Sequence, residues 1–192
     1  MNAPSPDDPA AIAAWRTAER KRLRAARLDL TAEQRALAAQ AIATELDRLV
    51  AGRLGDPAGH VNSGYWPIKA EPSLLFWMEA LHARGARIAL PVVEAPSAPL
   101  VFRAWHPGAR MERGHWNIPV PAADAARLIP EIALAPLVGW DPGGYRLGYG
   151  GGYFDRTLAA LAPRPYVIES ASTPAAFRPS SRNRMTSVST LL

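Results

Sequence analysis

The sequence predicts an α/β fold organised on a mostly parallel sheet. Three observations carry that expectation. From His60 onward, short apolar runs alternate with helical patterns at the spacing of strand–helix–strand units. The hydrophobic fraction, 48% of 192 residues, suffices for one substantial core. A glycine-rich stretch from Leu137 to Arg156 lies between an apolar run (Ile132 to Val138) and a helix-like segment (Tyr153 to Leu161). Strand, glycine loop and helix in that order form a cradle for phosphate.

The elements follow in chain order. Residues 1–9 are rich in Pro and Asp and are expected to be disordered. Ala10 to Leu28 has a helical pattern. Within it, Arg20 and Arg24 stand at i and i+4 on one face, with Lys21 to the side. A solvated basic face and a cationic pair aimed at a polyphosphate both fit. Thr31 followed by Gln34 signs a capping box, opening a helix to about Val50 with Leu37, Ile42, Leu46 and Leu49 as its apolar stripe. Gly52 and Gly55 are expected to end it.

His60 to Trp66 reads as a short strand stopped by Pro67. Pro72 suits a first helical position, and that helix should run to His82 and stop at Arg84-Gly85. Glu71 would then lie at a strand's C-terminal edge, where parallel sheets keep their ligand crevice. It could hold a ligand's N–H groups or only complement a helix dipole. Ile88 to Val93, interrupted by Pro91, and Leu100 to Trp105 are further strands, and His106-Pro107-Gly108 is a turn. Gly114 to Pro121 is an extended, proline-punctuated segment whose Trp116 could stack on a flat heterocycle or cover a core edge.

The glycine stretch offers specific chemistry. Gly148, Gly150, Gly151 and Gly152 allow close backbone approach, Arg146 could fork onto a phosphate, and Asp155 could hold a divalent cation or merely cap a helix. No Gly-Lys-Ser/Thr follows, so it is not a P-loop. Tyr153 takes the third glycine position of the dinucleotide fingerprint, so it is not that motif either.

The net charge of +5 points to anionic partners, and Lys appears only at Lys21 and Lys69. A small-anion site is favoured over a nucleic-acid footprint, because no RNP-like motif, zinc finger or repeat is present. With no cysteine there is no disulfide or thiolate chemistry, which suits the cytoplasm. No apolar run nears the roughly 18 residues of a membrane span, and the N-terminus reads as no secretory signal. The four histidines, His60, His82, His106 and His115, show no ligand spacing.

In that order, the pieces resemble the 5-formyltetrahydrofolate cyclo-ligase (5,10-methenyltetrahydrofolate synthetase) family from about Arg20 to Ile168. Arg20 to Arg24 is similar to the family's Lys/Arg-x-x-Leu-Arg helix, and Tyr65 to Glu71 to its aromatic-to-Glu segment. Trp116 to Pro121 matches Trp-Asn-Ile-Pro-x-Pro, and Pro136 to Asp155 resembles the long glycine motif, with Trp140 and Phe154 as aromatic substitutions. The resemblance implies a three-layer α/β/α fold with a mostly parallel sheet, acting as a monomer. It also implies ATP- and Mg²⁺-dependent conversion of 5-formyltetrahydrofolate to 5,10-methenyltetrahydrofolate. Arg20, Lys21, Arg24, Arg146, Leu147, Gly148, Tyr149, Gly150, Gly151, Gly152, Tyr153 and Phe154 would then bind ATP. Arg24, Trp66, Glu71, Trp116, Tyr149 and Tyr153 would bind the folate, Arg146 and Tyr153 would serve catalysis, and Asp155 would bind Mg²⁺. Gly151 departs from members that carry Lys there. A non-catalytic nucleotide- or RNA-binding member of the same fold is the alternative.

The tail departs from the family. Glu169 to Leu192 is Ser/Thr-rich without strand alternation, where the family continues to a Pro-x-x-His-Asp segment whose Asp helps bind Mg²⁺. Moving the reading frame by two bases lets these codons read Pro-Gln-Pro-His-Asp. The Asp involves no free choice: ATG of Met185 followed by AC of Thr186 contains GAC. The expectation is one domain over residues 10–168 followed by an atypical tail produced by a one-base frameshift after Ile168.

Overall fold

The computed structural model describes residues 8–140, 146–170 and 188–189. The chain order is α1 (Pro9–Leu28), α2 (Ala32–Leu54), β1 (Val61–Ser63), α3 (Leu75–Ala83), β2 (Arg87–Val92), β3 (Val101–Trp105), β4 (Met111–Arg113), β5 (Pro119–Pro121), β6 (Ile132–Pro136), β7 (Gly139–Trp140), β8 (Arg146–Leu147), α4 (Tyr153–Ala160), β9 (Tyr166–Ser170) and β10 (Val188–Ser189). A short 3₁₀ turn, His115–Asn117, separates β4 from β5.

The main sheet has six strands in the order β10-β9-β6-β1-β2-β3. All neighbours are parallel except β2 and β3, an antiparallel pair at one edge. Helices flank both faces. Ile88, Leu90, Ile132, Leu134 and Ile168 meet Leu46 and Val50 of α2 and Trp77, Met78 and Leu81 of α3 in the main core. Alternation along each strand sends Val61, Ala89 and Phe102 to the other face, against Leu161 just past α4. The mostly parallel α/β sheet covered on both faces is the architecture the sequence predicts.

Local chemistry fixes the helix limits. Asp8 caps α1 by accepting from the Ala11 amide, so Pro9 is already helical rather than part of a leading tail; residues 1–7 lie outside the described residues. Thr31 and Gln34 form the expected reciprocal capping box. α2 passes through Gly52, because Leu54 still packs on the core, and stops at Gly55 with φ +72°. Leu37 is exposed; Ala39, Ile42, Ala43, Leu46 and Val50 form the buried stripe.

Three strand and helix expectations need correction. α3 starts at Leu75, not at Pro72, whose carbonyl accepts from the Tyr65 hydroxyl at 2.9 Å in a loop. β2 continues through Pro91. β1 pairs with β2 only as far as Ala89, so Pro91 lies where the strand has lost a neighbour, a position that tolerates proline. Glu169 and Ser170 complete β9, and Val188–Ser189 pairs with it in parallel, so part of the tail does enter the sheet.

Candidate active site

A cavity of about 550 Å³ opens at the C-terminal edge of the parallel strands. The ends of β2 and β6 form its floor through Leu90, Pro91, Ala135 and Pro136. This is where an open α/β sheet leaves room for a ligand. One wall is cationic and glycine-rich, and the other is aromatic with one buried carboxylate.

The cationic wall comes from α1. Its inward face is Ile12, Trp15, Glu19, Leu23 and Arg27. At 3.6 residues per turn, Arg16 and Arg20 flank that face and line the cavity. Lys21 falls on the opposite side and is exposed, whereas Arg24 is half-buried and does not line the cavity. The pair that faces the cavity is therefore Arg16 and Arg20, one turn earlier than the pair read from the sequence. Arg20 donates from Nε to the Gly148 carbonyl at 2.8 Å. Burial, with Arg16 nearby, holds its guanidinium below the ordinary arginine range.

Leu147, Gly148, Tyr149, Gly150, Gly151, Gly152, Tyr153 and Phe154 all line the cavity. β7 and β8 form a small hairpin that delivers this loop. Arg146 stands on β8, and its side chain lies outside the described residues. Gly150 has φ +95°, and a Cβ there would stand 3.3 Å from the Arg20 guanidinium carbon. At Gly151 a Cβ would meet the Tyr153 ring at 2.9 Å. Both positions need glycine, one for its backbone and one for close approach. Gly152 caps α4 in the left-handed region. Arg156 donates to the Gly151 carbonyl at 2.6 Å and lies 5.0 Å from the Tyr153 ring centroid.

Across the cavity stand Tyr65, Trp66, Glu71, His115 and Trp116. Trp116 is 62% exposed and takes φ 55°, a conformation that is costly for a bulky residue. Its ring meets Tyr153 edge-on at 6.0 Å and 87°. An exposed indole held this way covers no core; it is presented to the cavity. Glu71 is buried, and its two oxygens accept from the Tyr149 hydroxyl and from the Ile68 amide at 2.9 Å. Burial pushes its carboxyl above the ordinary range, opposed by Tyr149, Ile68 and Arg27. Tyr149 is raised as well, by burial and by Glu71.

Asp155 is exposed in the first turn of α4 and lines the cavity beside the glycine loop. Among the described residues, no three His, Asp or Glu side chains gather into a cation cage. A single carboxylate ligand beside an anion pocket can hold a divalent cation whose remaining ligands come from a phosphate.

Known proteins share the family and the fold of this chain. The profile of the 5-formyltetrahydrofolate cyclo-ligase family matches residues 12–174. The chain belongs to that family. A cyclo-ligase of Escherichia coli (strain K12) is 37% identical over 86 residues, 42% of this chain and 47% of the relative. The chain thus spans about half the length of that curated relative. The Haemophilus influenzae cyclo-ligase is 28% identical over 77% of this chain and 80% of its own. Among solved structures, the 5,10-methenyltetrahydrofolate synthetase of Aquifex aeolicus aligns with a TM-score of 0.64 at 25% identity, covering 80% of this chain and 76% of that one. The Mycoplasma pneumoniae synthetase aligns at 0.59 and 25%, covering 80% and 83%.

Sequence reasoning missed Arg16, Arg27, Tyr65 and His115. Arg16 was legible in principle, since Arg16 and Arg20 share the i, i+4 relation that drew attention to Arg20 and Arg24. Arg27 also had a signal, lying four residues beyond the buried Leu23 on the inward face. Tyr65 opens the aromatic-to-Glu segment and His115 adjoins Trp116, so both stood beside residues already named.

Proposed function

We propose that this cyclo-ligase family member converts 5-formyltetrahydrofolate and ATP to 5,10-methenyltetrahydrofolate, ADP and phosphate. One observation carries the reading: a single cavity joins the Arg16/Arg20 and glycine-loop wall to the Trp66, Glu71 and Trp116 wall. The first suits a polyphosphate and the second a flat heterocycle with N–H donors.

The chemistry fits two such walls. An N-formyl oxygen is a poor leaving group. It attacks the γ-phosphorus, and ADP departs. N10 then attacks the formyl carbon, and the oxygen leaves as phosphate. The protein's share is positioning and charge stabilisation. Arg16, Arg20, Arg146 and the loop from Gly148 to Gly152 would hold the phosphates. Tyr153, placed between loop and Trp116, would border the formyl group. Trp66 and Trp116 would contact the pterin from their shared wall, and Glu71 would accept its N–H groups. Asp155 is exposed to the anion pocket and would hold Mg²⁺, which supplies neutralisation of phosphate charge when bound. The chain is read as a cytoplasmic monomer acting on small molecules; among the described residues no helix is long and apolar enough to cross a membrane.

The test is growth of methenyltetrahydrofolate absorbance with purified chain, 5-formyltetrahydrofolate and Mg²⁺, with and without ATP. ATP-dependent growth supports the reading. Tight, salt-sensitive RNA binding with no turnover would replace it with a binding role.

A further inference from the structure

We propose that Arg27 is the positioning residue that sets Glu71 and Tyr149 for recognition of the folate, an inference that rests on the function proposed above. Arg27 is 2% exposed and does not line the cavity, so it acts only through others. Its guanidinium reaches three ways. Nη2 donates to the Tyr149 hydroxyl at 2.6 Å, Nε donates to the Lys69 carbonyl at 3.1 Å, and Nη1 lies 3.9 Å from Glu71 Oε1. Tyr149 in turn donates to Glu71 Oε1. One buried side chain on α1 therefore ties the glycine loop to the segment after β1.

That segment needs holding. Lys69 and Ala70 both have positive φ, 49° and 60°, conformations that non-glycine residues seldom adopt. Such strain persists only where surrounding contacts impose it. The Arg27 Nε bond to Lys69 is one such contact, and Glu71 is two residues further on. A fork of fixed N–H directions suits this task, and a lysine cannot reproduce it.

The same contacts govern the charge of Glu71. The groups facing it are Arg27 from α1, Tyr149 from the glycine loop, and Tyr65 and Lys69 from its own segment. Burial favours the neutral carboxyl, and Arg27 and Tyr149 oppose it. A carboxylate accepts through both oxygens, whereas the neutral carboxyl turns one of them into an O–H donor. Removing Arg27 leaves burial less opposed, so Glu71 takes up its proton at higher pH.

The test is carbon NMR of glutamate-labelled protein titrated with acid, with Glu71→Gln identifying the Glu71 resonance. In Arg27→Met the Glu71 midpoint should move to higher pH, and Arg27→Lys, which restores the charge but not the fork, should return it only in part and leave KM raised. Tyr149→Phe, which removes the hydroxyl between the two groups, should move it in the same direction and serves if Arg27→Met does not fold. In turnover, KM for 5-formyltetrahydrofolate should rise about tenfold in Arg27→Met while kcat falls less, the pattern of lost uniform binding. The acidic limb of kcat/KM should move with the Glu71 midpoint, which a merely structural loss would not produce. An unmoved midpoint in folded Arg27→Met overturns the proposal. A moved midpoint in a chain whose wild type makes no methenyl product leaves the positioning standing and removes the cyclo-ligase reading instead.

Discussion

Arg20 on α1 donates from Nε to the carbonyl of Gly148, joining two segments 128 residues apart at 2.8 Å. The bond fixes a guanidinium beside the glycine loop, where Gly150 and Gly151 leave little room for a Cβ. Arg20→Ala should therefore raise KM for ATP tenfold to a hundredfold, since a hydrogen bond to a charged group is worth about 1.5–3 kcal/mol. Arg16→Ala should follow it in direction. Lys21→Ala, on the far side of the helix, should stay within about twofold of wild type, as substitutions away from such contacts do. Steady-state kinetics in ATP on the three variants separates this assignment from one centred on Lys21.

Gly151→Lys adds a cation to the glycine loop, yet it should lower activity. A Cβ there meets the Tyr153 ring at 2.9 Å and touches Trp116 at 3.8 Å. The ring must turn, and its edge contact with Trp116 is lost. A drop in kcat/KM of about tenfold is expected, the scale of a slightly misplaced site. Gly151→Ala, which adds the Cβ without the charge, should fall in the same direction. Higher activity in the lysine variant would show that charge outweighs fit at this position.

Glu71 gives a stability prediction with a definite sign. Its folded carboxyl is raised, chiefly by burial, so the folded state holds a proton that the unfolded state has already released. Between the ordinary glutamate range and the raised folded value, stability falls as pH rises. Glu71→Gln lacks that slope. The difference in urea-unfolding free energy between Gln variant and wild type should move in favour of the variant as pH climbs through this window. An equal pH dependence in both proteins would contradict the shift.

Thr31→Ala should cost about 1 kcal/mol, because it removes the hydroxyl that accepts from the Gln34 amide and leaves only the Gln34 side chain on the Thr31 amide. In a chain of this size that lowers Tm by about 2–4 °C. Turnover of the folded fraction should not change, since Thr31 is not among the cavity-lining residues.

The tail yields the fourth activity comparison. A version encoded in the restored frame after Ile168 regains a His-Asp pair that the present residues lack. It should exceed the present chain in Mg²⁺-dependent turnover and in Tm. Sequencing the encoding DNA across Ile168 checks the premise directly; an unbroken frame would end it. Residues 171–187 and 190–192 lie outside the described residues.

Local rules made much of this fold readable. The Thr31–Gln34 box, the Arg84-Gly85 stop and the β1–α3–β2 unit follow from neighbours in sequence. Long-range packing decided the rest. Pro91 stays in a strand because β1 has already ended beside it, and Pro72 stays in a loop because Tyr65 takes its carbonyl. At the site, Trp66, Glu71, Trp116 and the loop from Leu147 to Phe154 were legible as chemistry with a place to act. The arginine pair was misplaced by one turn because the orientation of α1 depends on Trp15, Leu23 and Arg27 meeting partners that sequence spacing does not name. Arg27 itself looks like a surface charge until Glu71 and Tyr149 are brought to it.

The sequence separations inside the site also set the order in which it can form. β2 and β3 are near neighbours in the chain and can pair early, whereas Arg27 meets Tyr149 across 122 residues and Tyr149 meets Glu71 across 78. Closing such long loops is entropically late work. On a ribosome, α1 can make its Arg20–Gly148 and Arg27–Tyr149 bonds only after the glycine loop has emerged. The cavity is thus assembled late, and hydrogen exchange should find α1 opening before the sheet does.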